Sequence, residues 1–125
     1  MGTWTPPNSQ LTEEAAADLS ASQFMIVKKN GSTGVVLAAS AEKCIGVLQN
    51  KPVSGQPALV FNGGQGKILY GGTVNDGDLI TSDAASKGIA TTTVNDYVVG
   101  QANGDWVAGD IGEINLCLPH RYSNA

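Results

Sequence analysis

One histidine, one arginine and two cysteines are all this chain offers of several residue types that most often do chemistry. A serine-type triad needs a histidine beside its nucleophile. His120 stands just past Pro119, in what reads as a C-terminal tail, and is taken as a surface residue. Cys44 and Cys117 lie far apart, with no CxxC spacing, so no zinc site is expected. They read as reduced thiols packed as small hydrophobes, since a domain of this size does not need a disulfide. No apolar run approaches the roughly 18 residues of a membrane-spanning helix. The N-terminus, MGTWTPPNSQ, has neither the basic nor the apolar region of a signal peptide. A basic stripe is missing too. The net charge is −4, and only Lys28 and Lys29 are adjacent cations. Phosphate contacts dominate nucleic-acid affinity, so neither nucleic acid nor membrane is an expected partner. Aromatics are only 6% of the chain.

What is abundant is turn chemistry. Sixteen glycines in 125 residues are nearly twice the ~7% of average usage. Between Cys44 and Asp83, short apolar runs (45–48, 58–61, 67–70, 79–81) alternate with clusters of Gly, Pro, Asn and Asp. That is the rhythm of short strands joined by tight turns. It continues through 89–93, 97–101, 106–108 and 111–118. In the last run Ile114, Leu116 and Leu118 alternate with Glu113, Asn115 and Cys117, as on a half-buried strand. The expected fold is all-β: a mainly antiparallel small barrel or sandwich of eight to ten strands, with a short N-terminal helix and an extended N-terminal arm. The expected organisation is an arm with a short helix over 1–19, a β-domain over 20–119, and a tail over 120–125.

Several local expectations are specific. Thr5-Pro6-Pro7-Asn8 cannot join a central strand or a helix interior, so the arm is pre-extended. Trp4 either folds back on its own domain or anchors the arm on another chain. Residues 11–19 (LTEEAAADL) read as a two-turn helix capped by Thr12, marginal unless docked. Runs 23–27 and 34–38 form a hairpin, with Asn30-Gly31 as a type I′ turn and Lys28-Lys29 at a solvated tip. In Cys44–Leu48, Ile45 and Val47 should face one side, Cys44 and Leu48 the other.

Two stretches imitate functional motifs. Asp76, Asp78 and Asp83 are the densest acidic cluster, but the EF-hand pattern is absent: Gly77 separates the first two, and Ser86 and Lys87 stand where the glutamate is needed. They read as turn residues. Gly63–Lys67 resembles a phosphate loop, yet Phe61 replaces the first glycine and Ile68 the hydroxyl. The expectation is therefore no catalytic, cofactor-binding or metal-binding residue, and no enzyme.

The ordered anchors Gly46, Pro52, Gly55, Gly66, Gly77-Asp78, Asp83, Gly88, Gly100 and Gly109-Asp110, spread over residues 20–119, resemble the small capsid decoration (cement) proteins of tailed bacteriophages. The resemblance implies a homotrimeric β-domain on the outer surface of the virion, made in the bacterial host cytoplasm. Its partner would be the major capsid protein, whose subunits it bridges against the pressure of packaged DNA. It implies no cofactor. Capsid-contact candidates are Trp4, Thr5, Pro6 and Pro7, on the arm. A different class remains open: a carbohydrate- or cell-surface-binding module of a phage fibre or adhesin, with Trp4, Trp106, Tyr70 and Tyr97 as stacking faces.

Overall fold

The computed structural model describes residues 10–31 and 34–121. Over these described residues it is all-β, with ten strands. These are β1 (Gln10–Glu14), β2 (Ile26–Lys29), β3 (Val35–Leu37), β4 (Gly46–Leu48), β5 (Pro57–Phe61), β6 (Gly64–Leu69), β7 (Leu79–Ser82), β8 (Gly88–Ala90), β9 (Tyr97–Ala102) and β10 (Ile111–Arg121). They form two five-stranded antiparallel sheets, ordered β1-β5-β4-β2-β3 and β6-β10-β9-β7-β8. Each sheet curls until its outer strands meet, at a parallel bridge from Ala15 to Val35 in the first and from Tyr70 to Gly88 in the second.

Four local expectations are corrected. The helix expected over 11–19 is instead strand β1, paired along its whole length with β5, Gln10 opposite Phe61 and Glu14 opposite Pro57. A two-turn helix is weak alone. The strand gains a full ladder and delivers Ala15 and Leu19, both buried, to the interior of the first sheet. The β2–β3 hairpin exists, but its loop is residues 30–34, closed by the Asn30 N–H to the Gly34 carbonyl at 2.8 Å. Pairing of Lys28 with Val36 and of Lys29 with Val35 sets that length, and Asn30 lacks the positive φ of a type I′ turn. At Gly46 the φ of +153° breaks the alternation. Cys44 and Val47 share one core and Ile45 and Leu48 the other. Finally, β10 runs through Pro119 to Arg121, its register shifting between Leu116 and His120. Such irregularities are where a strand tolerates proline.

The two sheets are copies of one plan. Strand n pairs with n+4, then n+3, n+1 and n+2, in both. Residues 10–19 match 65–74, 22–38 match 75–91, and 45–61 match 99–115 in register. Hydrogen bonds repeat with the register. The Ala15 N–H donates to the Gln56 carbonyl at 2.9 Å, and the Tyr70 N–H to that of Asp110 at 2.8 Å. The N–H groups of Leu19 and Val74 donate to Pro52 and Trp106, both at 2.9 Å. Gln56 Oε1 and Asp110 Oδ2 each accept the N–H three residues back, from Val53 and Val107, at 3.0 Å. Among the described pairs, identity survives only at Gln10/Gln65, Gly46/Gly100, Val53/Val107 and Gly55/Gly109.

The interiors explain the divergence. The first unit fills its sheet with Ala15, Leu19, Val27, Val35, Leu48, Ala58 and Val60. Their counterparts are Tyr70, Val74, Ile80, Gly88, Ala102, Gly112 and Ile114. One large ring replaces volume that several aliphatic side chains supply in the first unit, so both reach a filled core by different residues. Tyr70 stacks on Trp106 with centroids 6.2 Å apart. A methyl group at Gly112 would overlap the Trp106 ring. Between the units lie Ile26, Ala38, Cys44 and Val47 from the first, and Ile68 and Leu116 from the second.

Candidate interaction surface

The acidic cluster is spent on turns. Asp78 Oδ2 accepts the Asn75 N–H at 2.9 Å, and Asp76 Oδ1 accepts the Gly104 N–H at 2.9 Å. Asp83 Oδ1 takes the N–H groups of Ala85 and Lys87, at 2.8 and 2.9 Å. Among the described residues no three His, Cys, Asp or Glu side chains are placed to hold a metal together. The Gly63–Lys67 stretch enters strand β6 and no helix follows it, so it lacks the geometry of a phosphate loop. His120 belongs to β10, its backbone opposite Val98.

The aromatic residues divide. Tyr70 is fully buried, with its hydroxyl donating to the Glu113 carbonyl at 2.8 Å. Trp106 is half-buried, its Nε1 donating to the Asn103 carbonyl at 3.1 Å. Tyr70 therefore offers no face to a sugar. Lys28 and Lys29 pair with Glu42 and Glu13 at 2.9 and 2.8 Å. The Lys28 ammonium, and then the Ala39 N–H, hold the Glu42 carboxyl below its usual range.

Neither cysteine is in a disulfide; Cys44 is buried and Cys117 half-buried. Burial, and then the nearby Cys117 and Glu42, push Cys44 from 9.0 up to about 12. Burial also raises Cys117 and Tyr70. In each case the unfolded chain gives up its proton at lower pH than the folded one, so stability must fall as pH rises past the unfolded thiol value. We expect a melting temperature that is level to about pH 8.5 and declines above pH 9. At pH 8, a thiol reagent should label Cys117 before Cys44, and Cys44 only as fast as the protein opens. Labelling of Cys44 at the rate of a free thiol would contradict its burial.

What the surface does present is apolar and duplicated. Val53 and Val107 occupy the same position in the two copies of one loop, 43% and 53% exposed, and Ile111 follows at 53%. Val94 projects from the β8–β9 connection at 44%. Two clefts flank the hairpins. One of about 350 Å³ is lined by Lys28, Lys29, Glu42 and Cys44. One of about 400 Å³ is lined by Gly77, Asp78, Leu79, Ala90, Thr91 and Thr92. Trp4, Thr5, Pro6 and Pro7 lie outside the described residues, which begin where Gln10 joins β5. The matched loops were missed in the sequence; their only local signal is the shared Val-x-Gly at 53–55 and 107–109.

No protein-family model matches the chain, and no curated protein does. Among solved structures, the head fiber gp8.5 N base of bacteriophage phi29 shares the fold. The TM-score is 0.67 at 14% sequence identity, covering 87% of this chain and 93% of that one.

Proposed function

We propose that this chain is a non-enzymatic structural protein of a tailed-phage virion: a decoration protein on the outside of the head that bridges major capsid subunits and holds the shell against packaged DNA. The observation that carries the reading is the shared fold, over 87% of the chain, with a protein that forms the base of a head fiber. The glycine and aspartate anchors shared with decoration proteins agree with it. Exposed valines on two matched loops suit a plug that works by contact. Many copies on a symmetric shell let weak contacts sum. The prolines of Thr5-Pro6-Pro7 would make that segment cost less entropy to order on the capsid than a flexible one, and a homotrimer would match three-fold positions of the lattice. A second reading follows from the same neighbour: the chain is a base that ties a fibre to the head.

The test compares heads with and without this protein on heating and on chelation of divalent ions. Decorated heads should retain DNA at temperatures that empty bare ones; equal retention removes the cementing role. Removing residues 1–9 should weaken binding to bare expanded capsids by about tenfold or more, as loss of a tryptophan anchor does, while circular dichroism stays unchanged. Undiminished affinity would take the arm out of the mechanism.

A further inference from the structure

We propose that the cleft at Gly77–Leu79 and Ala90–Thr92 receives the β2–β3 hairpin of a second copy of this chain, so that copies join head to tail through the contact that already joins the two units. The inference rests on the duplication and names a surface for the self-association within the proposed role.

Within one chain, the first unit is the receiver and the second delivers its β7–β8 hairpin. The Ile26 N–H donates to the Ser86 carbonyl at 2.8 Å, and Ser86 Oγ donates to the Ala38 carbonyl. Ser82 Oγ donates to the Ala39 carbonyl at 2.6 Å, and the Ala41 N–H to the Ser82 carbonyl at 2.8 Å. The Phe24 carbonyl accepts the Leu69 N–H at 2.8 Å. The register transfers this receiving surface to the second unit, Phe24 to Gly77, Ile26 to Leu79 and Ala38 to Thr91; beyond it a repeated turn, with the Glu42 N–H on the Ala39 carbonyl and the Asp96 N–H on the Thr93 carbonyl, both at 3.3 Å, carries Ala39 to Thr93 and Ala41 to Asn95. Its unusual backbone transfers as well. Phe24 and Gly77 have φ of 70° and 90°, and Ala41 and Asn95 have 54° and 80°.

In the second unit that surface is open. It is the cleft of about 400 Å³ lined by Gly77, Asp78, Leu79, Ala90, Thr91 and Thr92, and glycine in place of Phe24 is part of what leaves the room. In the first unit Lys29, the counterpart of Ser82, is likewise exposed, with Asn30 and Gly31 beyond it. Receiver and hairpin are different parts of a unit, so the contact is heterologous, and repetition between copies gives a ring or a filament. Charge selects this occupant. The hairpin carries Lys28 and Lys29, while the cleft and its margin carry Asp78, Asp76 and Asp96. The pairs of Lys28 with Glu42 and Lys29 with Glu13 lie at the solvated surface, so exchanging them costs little.

The test transposes the Ser82–Ala39 contact into a cross-link. In the full chain carrying Lys29→Cys and Thr93→Cys, oxidation should give covalent dimers and larger multimers that neither single variant gives. Ala90→Arg, and separately Thr92→Arg, place a like charge in the cleft. Each should weaken association by about tenfold or more in light scattering, since like charges set against each other at a contact repel, with an unchanged melting temperature as the fold control. Cross-linking no greater than in the single variants overturns the proposal. So does association that survives both arginines but is lost on removing residues 1–9, which would make the arm the occupant. Capsid binding is read separately, so a failed cross-link leaves the virion role standing, and a failed capsid assay leaves the cleft standing.

Discussion

Gly100→Ala should cost about 3–4 kcal/mol of stability, at the upper end of what single substitutions do, and Gly46→Ala should cost about as much. The two glycines hold the same place in the two units, opposite the strand that follows. A methyl group at 100 would overlap the Asn115 carbonyl oxygen, and one at 46 the Phe61 carbonyl oxygen. Neither obstacle is a flexible side chain. Relief would require β10 or β5 to move away, breaking the ladders β9–β10 or β4–β5. Thermal melts should fall by roughly 10–15 °C for a chain of this size. Gly109→Ala is the control. It has a φ of +93° but open space around it, so it carries only the backbone penalty of about 1–2 kcal/mol. Equal losses at 100 and 109 would mean that the β9–β10 ladder yields cheaply to the added methyl group, since Gly100 has no positive φ to penalise.

Tyr70→Ala should destabilise the second unit by about 3–5 kcal/mol, the usual range for removing a buried aromatic side chain. Tyr70 is fully buried, stacks on Trp106, and its hydroxyl satisfies the Glu113 carbonyl. Trp106, the ring it stacks on, lies so close to Gly112 that a methyl group there would overlap it, and so has little freedom to move into the gap. Tyr70→Phe keeps the stack and loses one hydrogen bond, about 1 kcal/mol. Denaturant melts of both variants check the difference. A small loss in Tyr70→Ala would mean that the second interior repacks as the first does, around aliphatic side chains. The comparison matters because Ala15, the counterpart of Tyr70, supports the first unit with no ring at all.

How far the chain could be read in advance follows from the range of each interaction. Gly55, Gly77 and Gly109 announce turns within a few residues of themselves, so the all-β class and the hairpins were visible along the chain; the strand inventory was not, since run 106–108 makes only the isolated bridge of Trp106 to Val74 while β1 came from the expected helix. The alternation of Ile114 with Glu113 and Asn115 marked β10 correctly up to Leu116. The aspartates near position 78 were legible as turn residues because their partners are close by, although Asp76 reaches across to Gly104. Longer-range outcomes were hidden. Residues 11–14 have respectable helix propensity, and only β5, more than forty residues away, makes them a strand. The slip at Gly46 turns Cys44 to the side of Val47, which alternation alone assigns to the opposite face.

Local turn and strand preferences, written in neighbouring residues, settle where this chain bends and extends. Its being two copies of one plan came from the folded molecule alone. A packed interior constrains total volume and shape rather than the identity of any one residue, so Tyr70 stacked on Trp106 can stand for aliphatic side chains. Of the four identities at matching positions, two are backbone requirements, Gly46 with Gly100 and Gly55 with Gly109, and four are too few to be seen before the strands are laid side by side.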